Sequence, residues 1–328
     1  MLRTRSKSLT LLFVSATILC IASMWIGDAA AKSKYPSKPV QLIVPWKPGG
    51  GTDVVMRIIT HYASQCLEEP MVVVNVPGVG GTLGPRKAKD AKPDGYTLVT
   101  LHQTLIFSKL SGVCDFAYSS FIPIAGMTNT PDILTVRGDA PWNNLKELIE
   151  DAKKRPGEIT YGGTFGTTTH FFPLQVGRKA GVEFKFVSYE GTAERQTALL
   201  GGYIDMAPTN ITSGKKYFEA GKFKALGIAT KERHPLIPNV PTLKELGMDV
   251  QSALYRGMWA PLGTPKPIID ELTGVFKKVA ENPEFVKKIT DLGSFVQFAP
   301  QDEYKAIMDA EVKKITKLVE TVGMKRKK

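Results

Sequence analysis

Histidine and cysteine are scarce in this 328-residue chain, with four of the first and three of the second. The histidines, His61, His102, His170 and His234, are scattered without H-x-x-x-H spacing, which argues against a metal site. No serine sits in a G-x-S-x-G elbow, and neither Cys66 nor Cys114 stands beside a histidine in sequence. Nothing marks a paired acid and base, so the chain reads as a binding protein without a cofactor, not as an enzyme. The glycine-rich stretches lack the Gly-Lys-Ser/Thr ending of a nucleotide P-loop and the spacing of a dinucleotide fingerprint. There is no internal repeat and no low-complexity tract. The only run of like charge is Lys325 to Lys328, a solvated terminus.

What is present is the composition of a soluble globular protein, 43% hydrophobic and 23% charged, with length for two domains. Residues 1–31 read as an export signal: Arg3, Arg5 and Lys7, then an apolar run from Leu9 to Trp25, then Ala29-Ala30-Ala31 as a cleavage site. The apolar run is long for a signal, so a retained anchor is the alternative. Leu19 before Cys20 is bulkier than a lipoprotein cleavage site accepts. Cleavage removes three cations and one anion and takes the formal charge from +12 to +10. That balance suits an anionic ligand, an anionic surface or simple solubility. Export and the lack of a motif argue against nucleic acid. Cys66 and Cys114 remain, and in an oxidising compartment they either form a disulfide or stay as thiols; geometry decides.

Short apolar runs alternate with helical patterns. The strand-like runs are Val40–Val44, Met71–Val74, Tyr96–Leu101, Ile159–Tyr161, Phe184–Val187, Ile204–Ala207 and Ala225–Ala229. Helical segments lie between them, such as 54–67, 145–153, 171–180 and 193–200, and 265–280, 283–292 and 300–322 follow Pro261. The alternation predicts βαβ units with largely parallel sheets. Two glycine-rich connections run from strand to helix: Pro45 to Asp53, and Tyr161 to His170. Each would offer unpaired N–H groups and a positive dipole end to an anion, although a tight turn without a ligand has the same look. They lie over a hundred residues apart, as if opening separate lobes that clamp one ligand.

Tyr35-Pro36-Ser37-Lys38-Pro39, followed by Val44-Pro45-Trp46-Lys47-Pro48-Gly49-Gly50-Gly51-Thr52-Asp53, resembles the mature start of the tripartite tricarboxylate transporter receptors, also called Bug receptors. Further stretches are similar in the same order: Val72 to Thr82, Pro93 to Leu98, Leu200 to Asp205, Pro238 to Thr242 and Ala260 to Pro265. The resemblance implies an α/β, type II periplasmic-binding-protein fold, with two βαβ lobes around a cleft and two hinge crossings. It implies a periplasmic, monomeric receptor that captures a small carboxylate and delivers it to a two-subunit membrane permease. It puts the crossings near Leu134–Arg137 and Trp259, making 32–135 plus 260–328 one lobe and 136–259 the other. Carried to this sequence, the carboxylate-holding positions are Gly49, Gly50, Gly51, Thr52 and Asp53 in the first loop. In the second loop they are Gly166, Thr167, Thr168 and His170.

This chain departs from the family pattern at Val76, where Arg is common, and at Phe165 and the threonines of the second loop. It departs again at Glu190, Glu194 and Arg195, and at Arg256, where an aromatic is usual. Asp53 reads as a helix cap or a site residue; repulsion between carboxylates favours the cap. His170 reads as a residue that orients its loop. Arg195 and Arg256 could each pair with a second carboxylate. Tyr189 and Asn210 stand at strand ends facing the cleft; Trp46 and Phe165 would wall an apolar ligand body, or serve the core. His102, Gln103 and Thr104 follow the third strand and are further candidates for the cleft lining. A sensory receptor for a membrane kinase and a secreted hydrolase are the competing functions.

Overall fold

The computed structural model describes residues 35–321. The export signal and the terminal lysines lie outside the described residues.

The strands are β1 (Val40–Val44), β2 (Met71–Asn75), β3 (Thr97–Leu101), β4 (Phe121–Pro131), β5 (Ile133–Arg137), β6 (Thr160–Gly163), β7 (Lys185–Ser188), β8 (Met206–Thr209), β9 (Phe223–Ile228), β10 (Ala253–Pro261) and β11 (Phe295–Pro300). The helices are α1 (Gly51–Ser64), α2 (Leu83–Lys89), α3 (Thr104–Leu110), α4 (Leu145–Lys154), α5 (Thr168–Ala180), α6 (Thr192–Leu200), α7 (Ile211–Glu219), α8 (Lys266–Glu281), α9 (Pro283–Asp291) and α10 (Gln301–Thr321). They build two sheets, ordered β11-β4-β10-β3-β1-β2 and β7-β6-β8-β5-β9.

Both sheets are mixed. β1 runs parallel to β2 and β3, and β6 runs parallel to β7 and β8. β10 is antiparallel to β3 and β4, β11 to β4, and β5 to β8 and β9. The parallel strands are the ones whose connections carry helices, and the antiparallel ones enter from the crossings and the C-terminal part. Buried Leu42, Ile43, Val99 and Trp259 anchor the first core, with Tyr304 and Met308 of α10. Leu134, Tyr161, Phe172 and Met206 anchor the second.

The chain changes sheet at Asp132, between β4 and β5, and returns between β9 and β10. Leu134–Arg137 and Trp259, where the resemblance put the crossings, therefore lie inside strands. The crossings are tied to one another: Asp132 N–H donates to Ser252 O at 3.0 Å, and Ala229 N–H donates to Asp132 O at 2.9 Å. The two halves also touch across the cleft. Phe107 stacks on Phe171 at 4.4 Å, Ser108 Oγ donates to Gly166 O at 3.1 Å, and Thr212 Oγ1 donates to Leu292 O at 2.9 Å. Cys66 is exposed and Cys114 buried, and no bond joins them. The Cys114 thiol, pushed up by burial, lies 3.3 Å from Phe116 O.

Candidate functional site

β1 and β3 are neighbours in the first sheet and β6 and β8 in the second, so the loops at their carboxyl ends open side by side. Such ends are where open α/β sheets receive ligands. Here they enclose a cavity of about 60 Å³. The first sheet contributes Trp46, Gly50, Gly51, Thr52, His102 and Arg256; the second contributes Thr164, Thr167, Thr168, Thr169, Thr192, Arg195 and Asn210. Asp132 joins them from the crossing.

Three helices point their amino ends at this space without a side-chain cap: α1 from Gly50, α5 from Thr167 and α6 from Gly191. Their first-turn N–H groups have no intrahelical partner and carry the positive end of the dipole. The fourth, α7, is capped by Asn210, whose Oδ1 accepts from Ser213 N at 3.0 Å. Gly51 matters for access, because a Cβ there would stand 3.6 Å from Asn210 Oδ1 and 3.8 Å from Arg256 Nη2.

The charged groups are almost wholly buried. Arg256 is 1% exposed; its Nε donates to Thr52 Oγ1 at 3.0 Å and its Nη1 to Thr130 Oγ1 at 2.5 Å, while Nη2 has no partner. A bulge between Arg256 and Gly257 turns the strand at this point. Arg195 is 4% exposed, and its Nε has no partner. Burial pulls both guanidinium groups down to about 10, still charged at neutral pH. Burial pushes Asp132 up to about 6, against the pull of Ser252, whose Oγ donates to Oδ2 at 2.7 Å, and of the two arginines. His102 is driven down to about 3 by burial and by the Arg256 charge. Trp46 Nε1 faces its Nε2 at 3.2 Å and Thr104 N–H faces its Nδ1 at 3.3 Å; a neutral ring accepts one of the two.

Of the residues singled out in the sequence, Trp46, Gly50, Gly51, Thr52, His102, Thr104, Thr167, Thr168, Thr169, Arg195, Asn210 and Arg256 line the cavity, and Gln103 does not. Gly49, Asp53, Phe165, Gly166, His170 and Tyr189 stand outside it. Asp53 Oδ2 accepts from Gly49 N at 2.9 Å and Arg57 Nε at 3.0 Å, and Oδ1 accepts from Asn75 Nδ2 at 2.7 Å. Burial pushes the Asp53 carboxyl up, but these bonds outweigh it and hold it below the ordinary carboxylate range. His170 Nδ1 accepts from Gly166 N at 3.3 Å, and its ring packs on Phe186 at 4.1 Å. Burial lowers it to about 4. Phe165 is 43% exposed and leans on the same two rings. Tyr189 packs against the Leu199 and Ile204 cluster of its own half. Asp132, Thr164 and Thr192 line the cavity unannounced; the one signal for Asp132 was a polar residue after Pro131, where sequence reads only a turn.

A larger cavity, about 240 Å³, lies at the crossings among Gln103, Asn129, Tyr255 and Glu311. Its half-buried acid, Glu311, is already paired with Lys314 at 3.5 Å. It presents no unpaired buried charge to a ligand, unlike the smaller cavity.

Two sheets that deliver helix amino ends and unpaired cations into one cleft define a two-lobed solute-binding receptor. The model of the tripartite tricarboxylate transporter family receptor matches residues 55–324, and the chain belongs to that family. The periplasmic binding protein BugD has the same fold, at 31% identity and TM-score 0.84 over 89% of this chain and 99% of that one. An R. palustris protein solved with adipate is 26% identical, TM-score 0.84, over 88% and 98% of the two chains. MatC from Rhodopseudomonas palustris, with bound malate, is 28% identical, TM-score 0.80, over 88% and 100%. The resemblance read from the ordered motifs is thereby borne out.

Proposed function

We propose that this chain is an exported, periplasmic, monomeric receptor that captures a small carboxylate between two lobes and hands it unchanged to a two-subunit membrane permease. One lobe is built on the first sheet, residues 35–131 and 253–321, and the other on the second sheet from residue 133 to residue 228. The observation that carries the reading is the meeting of uncapped helix amino ends, Gly50–Thr52 and Thr167–Thr169, on a cavity that also holds Arg195 and Arg256. Such ends bind anions through N–H groups and dipole together. Family membership and the acids named for two neighbours, adipate and malate, support a carboxylate. Binding without turnover is supported by membership of a receptor family and by a binding protein of the same fold.

Within the first loop, Gly49, Gly50, Gly51 and Thr52 would face or frame the ligand, with Asp53 holding the loop. Within the second, Gly166, Thr167, Thr168 and His170 would do the same, with His170 fixing the turn. Trp46 and Asn210 would border the ligand, and Phe165 and Tyr189 would support the loops from outside.

A thermal-shift screen of residues 32–328 against mono-, di- and tricarboxylates, with sugars and divalent cations as controls, tests the reading. A saturable rise in Tm with one class of acid is expected, because ligand binding to the native state alone stabilises it. A rise only with sugars or metals would remove the carboxylate claim.

A further inference from the structure

Arg195 and Arg256 reach the cavity from different sheets, Arg195 on α6 beside the second and Arg256 on β10 of the first. Among the described residues the Arg195 side chain has no hydrogen bond or ion pair, and its Nε is fully buried. Arg256 spends two nitrogens on Thr52 and Thr130 and keeps Nη2 free, on the side where Gly51 and Asn210 approach. A buried guanidinium without a partner is costly to hold, and an anion is its natural complement. Asp132 is the third charge in the space, and it forms no ion pair with either arginine.

We infer that Arg195 and Arg256 form a subsite for a second carboxylate, so that the ligand is a compact dianion. Its first carboxylate lies on the amino ends of α1 and α5, and its second bridges the two arginines. The inference rests on the carboxylate capture proposed above and goes further by fixing the number of charges. Two full positive charges and one negative line the cavity, with three uncapped helix ends worth roughly half a charge each. That sum of about +2.5 covers both charges of a dianion. A third carboxylate would exceed it and would have to face Asp132, where like charges repel. Both sets of donors open on one small cavity, which favours a short acid. Because the arginines belong to different sheets, the second carboxylate ties the halves together. A monocarboxylate would tie them through the loops alone.

Calorimetric titration of residues 32–328 with unbranched C3 to C6 dicarboxylates, their matched monocarboxylates and citrate tests this. The best dicarboxylate is expected to bind about a hundredfold or more tighter than its matched monocarboxylate and than citrate, the scale of a buried charge pair. Arg195→Met should collapse that ratio to within a few-fold, because it weakens the dicarboxylate far more than the monocarboxylate. It should also raise the Tm of the unliganded protein, since an unpaired buried charge is replaced by an apolar chain of similar length. Equal affinity for mono- and dicarboxylates, or tightest binding of citrate, would overturn the subsite while leaving the receptor reading intact. So would an Arg195→Met variant with a lower Tm and an unchanged ratio, which would give Arg195 a purely structural role. Silence with every acid would defeat both readings together.

Discussion

At the scale of single residues, Gly51 separates binding from folding most cleanly. It is the first residue of α1, it lacks a positive φ, and a methyl group there meets nothing closer than 3.6 Å. Gly51→Ala should therefore leave the protein folded and gain up to about 1 kcal/mol of helix stability. The added methyl would stand between Asn210 and Arg256, in the cavity, and should weaken carboxylate binding tenfold or more by calorimetry. Unchanged affinity would move the ligand away from the first loop. The buried histidines set the pH response. His102 and His170 have folded values near 3 and 4, below their unfolded 6.5, so the unfolded chain binds more protons and stability is lost as pH falls below 6.5. Asp132 acts in the opposite sense between about 6 and 3.8, because its folded value is raised. His234, also lowered by burial, acts in the same sense as His102 and His170, so the histidines outweigh Asp132 and stability should fall as pH drops from 6 to 4. Denaturant titrations at pH 6 and 5 should show it, and Asp132→Asn should steepen the slope. The glycine loops and Arg256 were legible because glycine runs and a departure from an expected aromatic are visible in sequence. That Tyr189, Phe165 and His170 turn away from the cavity was not, because a strand-end position does not say which face a side chain takes.

At the scale of elements, the first loop owes its shape to Asp53. This third helical residue reaches back past the cap to Gly49 N and also binds Arg57 and Asn75, in the manner of a capping box displaced by one residue. Asp53→Ala removes three hydrogen bonds and should cost about 2–4 kcal/mol by chemical denaturation, with weaker ligand binding because the loop loosens. Full stability in that variant would contradict the role. The strands that begin each βα unit stood out as apolar runs, β1 to the residue. β4, β5, β10 and β11 did not, because they are antiparallel and carry turn-like residues. Gly126 on β4 and Gly257 on β10 illustrate why: a Cβ at either would come within 2.7 Å of the Tyr304 ring. The two glycines form the slot that receives α10, and sequence alone reads such glycines as breaks. The mixed character of both sheets follows from the same four strands.

At the scale of the whole molecule, ligand-driven closure requires tighter binding to the closed arrangement, and contacts across the cleft set that balance. Thr212 on α7 makes one such contact outside the cavity, donating to Leu292 O and sharing a 3.1 Å bond with Ser294 Oγ. Thr212→Val should weaken carboxylate affinity about three- to tenfold, because the closed population falls and the apparent Kd rises in proportion. An unchanged affinity would mean that this contact does not contribute to closure.

The central claim is that backbone N–H groups of two loops, one from each sheet, hold a ligand carboxylate. Amide NMR of residues 32–328 during titration with a dicarboxylate tests it most directly. The account predicts saturable downfield shifts of the Gly51, Thr52, Thr168 and Thr169 amides, moving together with one affinity. Saturable binding with those amides still, and shifts confined to the cavity around Gln103, Asn129 and Tyr255, would contradict it.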